Sequence, residues 1–188
     1  MNLDSAALRK VLPLLALRPG EPHTLTGIMR FSGLDSKSVW RVLDRMRSDG
    51  ALLDEAHGPK TYSVNPAYEH YQEIKVIAFR LLGLPAEMEG AGTRVDLLVL
   101  FGSLFRPVFR RESDIDLLVV GRDESKTRAV VDSLSRRLGK HIGVTFYAPA
   151  QFVSEWEAHE PFLAAVFSGP HTILSGSFDN LGIGGSML

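Results

Sequence analysis

The chain has 188 residues, 21 Lys or Arg against 22 Asp or Glu, a formal net charge of −1, and no cysteine. Its hydrophobic content of 45% is enough for a core, while disulfides and thiolate metal sites are excluded. No apolar run approaches the length needed to span a bilayer and nothing reads as a signal peptide, so the expected setting is cytoplasmic, with no membrane partner.

In chain order, Leu8, Val11, Leu12 and Leu15 repeat at helical spacing up to Pro19-Gly20, with Pro13 inside as a kink or a start. Thr24 to Phe31 reads as a short helix closed by Ser32-Gly33. A third helix is expected from Ser36 to Ser48, with Asp35 or Ser36 as its N-cap. Its inward face is Val39, Val42, Leu43 and Met46. Its outward face carries Lys37, Ser38, Arg41 and Arg45, donors suited to phosphates and base edges. Gly50 to Val64 alternates around His57-Gly58-Pro59 and reads as a hairpin.

Helix, helix, helix and hairpin, over roughly Ala7 to Pro66, resemble a winged helix-turn-helix. The resemblance implies that Lys37, Ser38, Arg41 and Arg45 contact duplex DNA, with Lys60 on the wing, and that the protein pairs as a homodimer. Residues 1–66 hold nine Lys or Arg against seven Asp or Glu, an excess that only permits DNA binding. Asp44, Asp49, Asp54 and Glu55 lie close by in sequence. The same elements also serve as a protein-interaction or dimerisation module.

Residues 67–91 are expected to be a connecting helix, from Tyr68 to Leu82, and a linker over Glu87 to Gly92. An apolar run, Leu97 to Phe101, then ends at Gly102-Ser103, and a second, Leu117 to Val120, follows Asp114-Ile115-Asp116. Both runs read as buried strands. Residues two apart on a strand share a face, so Asp114 and Asp116 point together. Paired carboxylates suit Mg²⁺, which takes hard oxygen ligands together with substrate phosphates. Glycine admits a close backbone approach, and a helix beginning at Ser103 would present its N–H groups to an anion.

Glu124 to Leu138 reads as an amphipathic helix stopped by Gly139, and His141 to Tyr147 as a third strand. Pro149 to Ala158 and Pro161 to Phe167 are expected helices, and His171 to Leu174 a last strand. Ser175 to Leu188, rich in Gly and Ser, is expected to be a flexible tail. The fold class expected is a two-domain α/β protein. Residues 1–66 form the DNA-binding domain, 92–175 an α/β domain with a small mixed sheet, and 176–188 the tail.

Gly-Ser, ten residues, then Asp-x-Asp in strand context resembles the minimal nucleotidyltransferases of the polymerase-beta superfamily, over roughly Gly92 to Leu174. The resemblance implies that Asp114 and Asp116 are catalytic and ligate Mg²⁺. Gly102, Ser103 and Arg106 would hold the phosphates of ATP or another nucleoside triphosphate. Arg110 and Arg111 are read as a solvated basic loop. Relatives usually bring a third acid from the next strand, where this chain has Gly143 or Thr145. Phe105 and Pro107 also stand where a small residue and a glycine often follow Gly-Ser. Two functions are therefore expected. One is nucleotidyl transfer, AMP from ATP, to a protein or small molecule, with a toxin as the protein acceptor in an antitoxin-like regulator. The other is a non-catalytic transcriptional regulator whose pocket senses a nucleotide or partner.

Overall fold

The computed structural model describes residues 5–54 and 60–183. They form a mixed α/β protein with two sheets, and the chain divides into two compact units, Met1–Leu82 with Pro107–Ser113, and Gly83–Arg106 with Asp114–Leu188.

In the first unit, α1 (Ala6–Leu17) starts where the Ser5 hydroxyl accepts the Leu8 N–H. Pro13 lies inside it and is buried among Leu8, Val11, Leu12 and Leu15, so the helix begins about two turns before the proline. β1 (His23–Thr24) leads into α2 (Leu25–Ser32), capped by Thr24 and ended by Gly33 at φ 67°. Asp35 caps α3 (Ser36–Ser48) through the Ser38 N–H at 2.9 Å, and Val39, Val42, Leu43 and Met46 are its buried face. β2 (Leu52–Asp54) and β3 (Thr61–Val64) are antiparallel, with β1 on the other side of β3. The expected turn at His57-Gly58-Pro59, and Glu55, lie outside the described residues.

α4 (Tyr71–Arg80) completes this unit, its Tyr71 hydroxyl donating to the Ala16 carbonyl at 3.1 Å. Lys75 on α4 is fully buried, with its ammonium 5.0 Å from the Tyr71 ring and 5.1 Å from Phe109. Burial lowers its pKa to about 8, and the two ring faces offset part of the cost of enclosing a cation.

Glu87 to Gly92, expected as a linker, is mostly helix: α5 runs Leu84–Gly90 and buries Leu84 and Met88, one turn apart on a single face. β4 (Val95–Phe101) ends in a 3₁₀ turn, Gly102–Phe105. β5 (Ile115–Gly121), α6 (Glu124–Leu138) and β6 (Ile142–Tyr147) form a parallel crossover. α7 (Pro149–Glu157), α8 (Pro161–Ser168) and β7 (Thr172–Gly176) follow. The sheet order is β6-β5-β4-β7. Leu97 to Leu100 and Leu117 to Val120 are inaccessible on both faces, which is why those strands read as continuous apolar runs.

One sheet face packs Leu97, Val99, Leu118 and Val120 against Phe152, Leu163 and Phe167 of α7 and α8. Of the tail expected to be flexible, the described part up to Ile183 is structured, and 184–188 lie outside the described residues. Gly176 closes β7, Phe178–Leu181 is a 3₁₀ turn, and Phe178, Leu181 and Ile183 pack against this core. Three apolar side chains within six residues outweigh the glycines and serines around them.

Candidate functional site

Sheet pairing aligns the two halves of the Gly-Ser and Asp-x-Asp pattern. β4 and β5 run antiparallel with Phe101 opposite Asp116, so the turn leaving β4 meets the start of β5. Gly102 adopts φ +76°, and a Cβ there would overlap Asp116 Oδ2 and lie 3.0 Å from its Cγ. Only glycine lets the turn come this close to the carboxylate. The Ser103 N–H donates to Asp116 Oδ2 at 3.3 Å, and the Ser103 hydroxyl donates to the Asp114 carbonyl. The helix expected at Ser103 is thus a single 3₁₀ turn starting at Gly102.

Asp114 is exposed at the mouth of β5, and Asp116 is half-buried two residues on. Desolvation holds the Asp116 carboxyl above the usual carboxylate range, and the charge of Asp114 adds to it. The Ser103 N–H, Arg106 and His141 oppose that shift. Arg106 therefore acts on Asp116 electrostatically, from the end of the 3₁₀ turn, where its backbone N–H donates to the Ser103 carbonyl. Arg110 and Arg111 are exposed and belong to the other unit, in Pro107–Ser113.

The parallel pairing of β5 with β6 sets Gly143 opposite Asp116 and Thr145 opposite Leu118. Gly143 is therefore the position where a third acid would join the pair. A Cβ built there meets nothing closer than Asp116 Oδ1 at 3.8 Å, so a side chain fits. His141 is the neighbour that sequence reasoning left without a role. Its Nδ1 lies 3.2 Å from Asp114 Oδ1, and its carbonyl accepts the Ile115 N–H at 3.1 Å. The parallel register places it there, since Ile115 pairs with Ile142 and the residue before each strand then lies beside the other. Asp96 sits at the other end of β4, near Gly121, away from this cluster.

Among the described residues no group of three or more His, Asp or Glu is arranged to hold a metal by itself. Two carboxylates beside a glycine cradle nevertheless fit Mg²⁺, which keeps several waters and completes its octahedron with substrate phosphates. Asp116, half-buried next to a like charge, is the donor that gains most from a cation.

Residues 87–159 match the family model described as a nucleotidyltransferase domain. The matched stretch contains the Gly-Ser turn, both aspartates, His141 and Gly143, and it spans less than half of the chain. No curated protein matches. Among solved structures, the chain is similar to the crystal structure of a mutant toxin–antitoxin MntA–HpeT. That similarity has a TM-score of 0.39 and 14% identity, covering 54% of this chain and 77% of that chain.

The residues expected to contact DNA lie in the first unit. Lys37, Arg41 and Arg45 are exposed on α3, with Arg45 Nε 4.0 Å from Asp49 Oδ2. Ser38 is half-buried, and its hydroxyl donates to Asp35 Oδ2 at 2.8 Å. Ser38, Arg41 and Arg45 line a depression of about 300 Å³ beside Ser5 at the start of α1. Asp44 is paired with Arg47 at 3.4 Å. Lys60 is exposed, its ammonium 4.8 Å above the Trp40 ring, which meets Tyr62 of β3 edge-on at 5.9 Å. No helix among the described residues is long and apolar enough to cross a membrane.

Proposed function

We propose that the second unit transfers a nucleotidyl group, AMP from ATP, to a hydroxyl of a protein or small molecule, and that the first unit binds duplex DNA. The observation that carries the transferase reading is Asp116 packed against Gly102, which lacks a Cβ, and accepting the Ser103 N–H, with Asp114 on the same strand end. Asp114 and Asp116 would hold Mg²⁺, which supplies charge neutralisation on the triphosphate and its pyrophosphate leaving group. Gly102 and Ser103 bring the backbone against the phosphates, and Arg106 adds positive charge at the same turn. His141 holds the Asp114 carboxylate from the side away from the turn. The acceptor oxygen attacks the α-phosphorus in line, and the bond to the pyrophosphate oxygen breaks.

Incubation with ATP labelled at the α-phosphate, Mg²⁺ and candidate acceptors tests this reading. Label should enter an acceptor from the α position and not from the γ position. Label entering from the γ position, or no label in any acceptor despite bound nucleotide, contradicts it.

Gly143 opposite Asp116 favours a second reading, a regulator that binds nucleotide without transfer. Gly143→Asp distinguishes the two, because a Cβ there meets its neighbours only at ordinary contact distance, 3.8 Å or more. A transferase should gain about tenfold or more in rate, since one added carboxylate contributes on the order of 1–3 kcal/mol of metal or proton-transfer stabilisation. A sensor should gain Mg²⁺ affinity alone, with no transfer.

DNA binding is supported by the order helix, short strand, helix, helix, two-stranded hairpin, and by three exposed cations on α3. Arg41→Ala should weaken binding to duplex DNA and lower the slope of log K against log salt by about 0.9, one phosphate contact. A weakened complex with an unchanged slope would remove Arg41 from the phosphate backbone.

A further inference from the structure

All 21 Lys and Arg lie in residues 1–140, and residues 141–188 carry four acids, Glu155, Glu157, Glu160 and Asp179, with no Lys or Arg and three histidines, His141, His159 and His171. Within that segment, α7, α8 and the chain at Gly182-Ile183 enclose a groove of about 440 Å³. Its apolar lining includes Val153, Trp156, Leu163 and Ile183, and Glu157 and Glu160 also line it, Glu160 accepting the Leu163 N–H at 2.9 Å as the cap of α8. Trp156 is held firmly, stacked on Phe152 at 5.9 Å and edge-on to Phe167 at 5.1 Å.

A turn at His159 lies beside the groove. His159 has φ 55°, the left-handed conformation in which a helix usually ends on glycine. Its N–H donates to Trp156 O, and the Glu160 N–H donates to Glu155 O, the bonds that close α7. Glycine would adopt this backbone without the cost a Cβ carries there. The His159 ring, with Nδ1 2.9 Å from the Glu157 carbonyl, lines the groove.

We infer that this groove docks a basic amphipathic helix of a partner protein, with aliphatic side chains seated on Trp156 and Leu163 and Lys or Arg meeting Glu157 and Glu160. A helix suits an apolar trough between two helices, and a firmly packed tryptophan is a typical anchor for one. The charge bias extends over the whole segment, which steers a macromolecule more than it serves a small ligand. The inference is independent of the transfer chemistry at Asp114 and Asp116.

The test uses the full chain with Trp40→Phe, leaving Trp156 as the sole tryptophan, and two helical peptides with the same leucine spacing. One has lysines on its polar face, the other glutamates. The lysine peptide should shift Trp156 emission saturably to the blue and lose affinity at least tenfold with added salt. The glutamate peptide should leave the emission unchanged. Glu157→Lys should lower affinity for the lysine peptide at least tenfold, while Asp132→Lys on α6 should not. His159→Gly should raise the thermal midpoint yet weaken the peptide, a split that a purely structural residue would not show. Equal effects of both peptides, or lysine-peptide binding indifferent to Glu157→Lys, overturns the inference. So does a concentration-dependent emission shift without peptide, which makes a second copy the occupant. A chain ending at Ile183 that binds the peptide far more tightly makes residues 184–188 the occupant, and overturns it equally.

Discussion

Replacing Asp116 by Asn should reduce nucleotidyl transfer by roughly 10³-fold or more, because a metal-holding carboxylate contributes several kcal/mol of charge stabilisation. The same substitution should stabilise the protein when no metal is added. Desolvation and the charge of Asp114 raise the carboxyl's pKa in the folded state, so the fold holds its proton more tightly than the unfolded chain does. At neutral pH the ionised group therefore costs stability, and the cost fades as pH falls through the folded value. Asn at 116 keeps an oxygen for the Ser103 N–H and removes the charge. The group is partly solvated, so the gain is a fraction of a kcal/mol, roughly 1–3 °C in midpoint for a domain of this size. Mg²⁺ should raise the midpoint of the native protein and leave Asp116→Asn unmoved. A variant less stable than the native protein at pH 7 and equally stable in acid would reverse the sign of this argument.

Gly102→Ala should be as damaging to transfer as loss of the acid, for a steric reason. The position has φ +76°, and the new methyl would occupy the space of Asp116 Oδ2. The backbone conformation alone costs about 1–2 kcal/mol for a residue with a Cβ. Gly92→Ala, at φ +70° with nothing within 4 Å, carries the backbone cost without the collision and serves as the control. Circular dichroism melts should show both variants destabilised, with Gly102→Ala the worse. Only Gly102→Ala should lose Mg²⁺-dependent nucleotide binding. Equal losses in the two variants would mean that the close approach to Asp116 has no functional consequence.

The turn, the acids and the strands flanking them were legible because each has a local cause. Two short apolar runs with no polar interruption, bounded by turn residues, read as strands buried on both faces, and a glycine between strand and turn marks a close approach. The caps of α3 and α6 were legible for the same reason, since Asp35 and a final Gly139 act on their own helix ends. What was missed depends on distant partners. α5 shows a single apolar pair, Leu84 and Met88, in a stretch whose glycines and glutamates resemble a linker. Phe178, Leu181 and Ile183 give no period at all, and only the aromatic cluster around Phe152 makes them structural. The sequence around Arg110 and Arg111 reads as a solvated basic loop, yet the neighbouring Phe109 is buried with Lys75 in the first unit. The contact of His141 with Asp114 follows from strand register, which sequence alone does not display.

The Gly-Ser turn and the two aspartates are expected to form one Mg²⁺–nucleotide site, and isothermal calorimetry is the most direct test. Titrating ATP into the native protein with Mg²⁺ should give saturable binding that chelation of the metal abolishes and that the double variant Asp114→Asn/Asp116→Asn lacks. Binding that is equal in the double variant, or indifferent to Mg²⁺, would contradict the account.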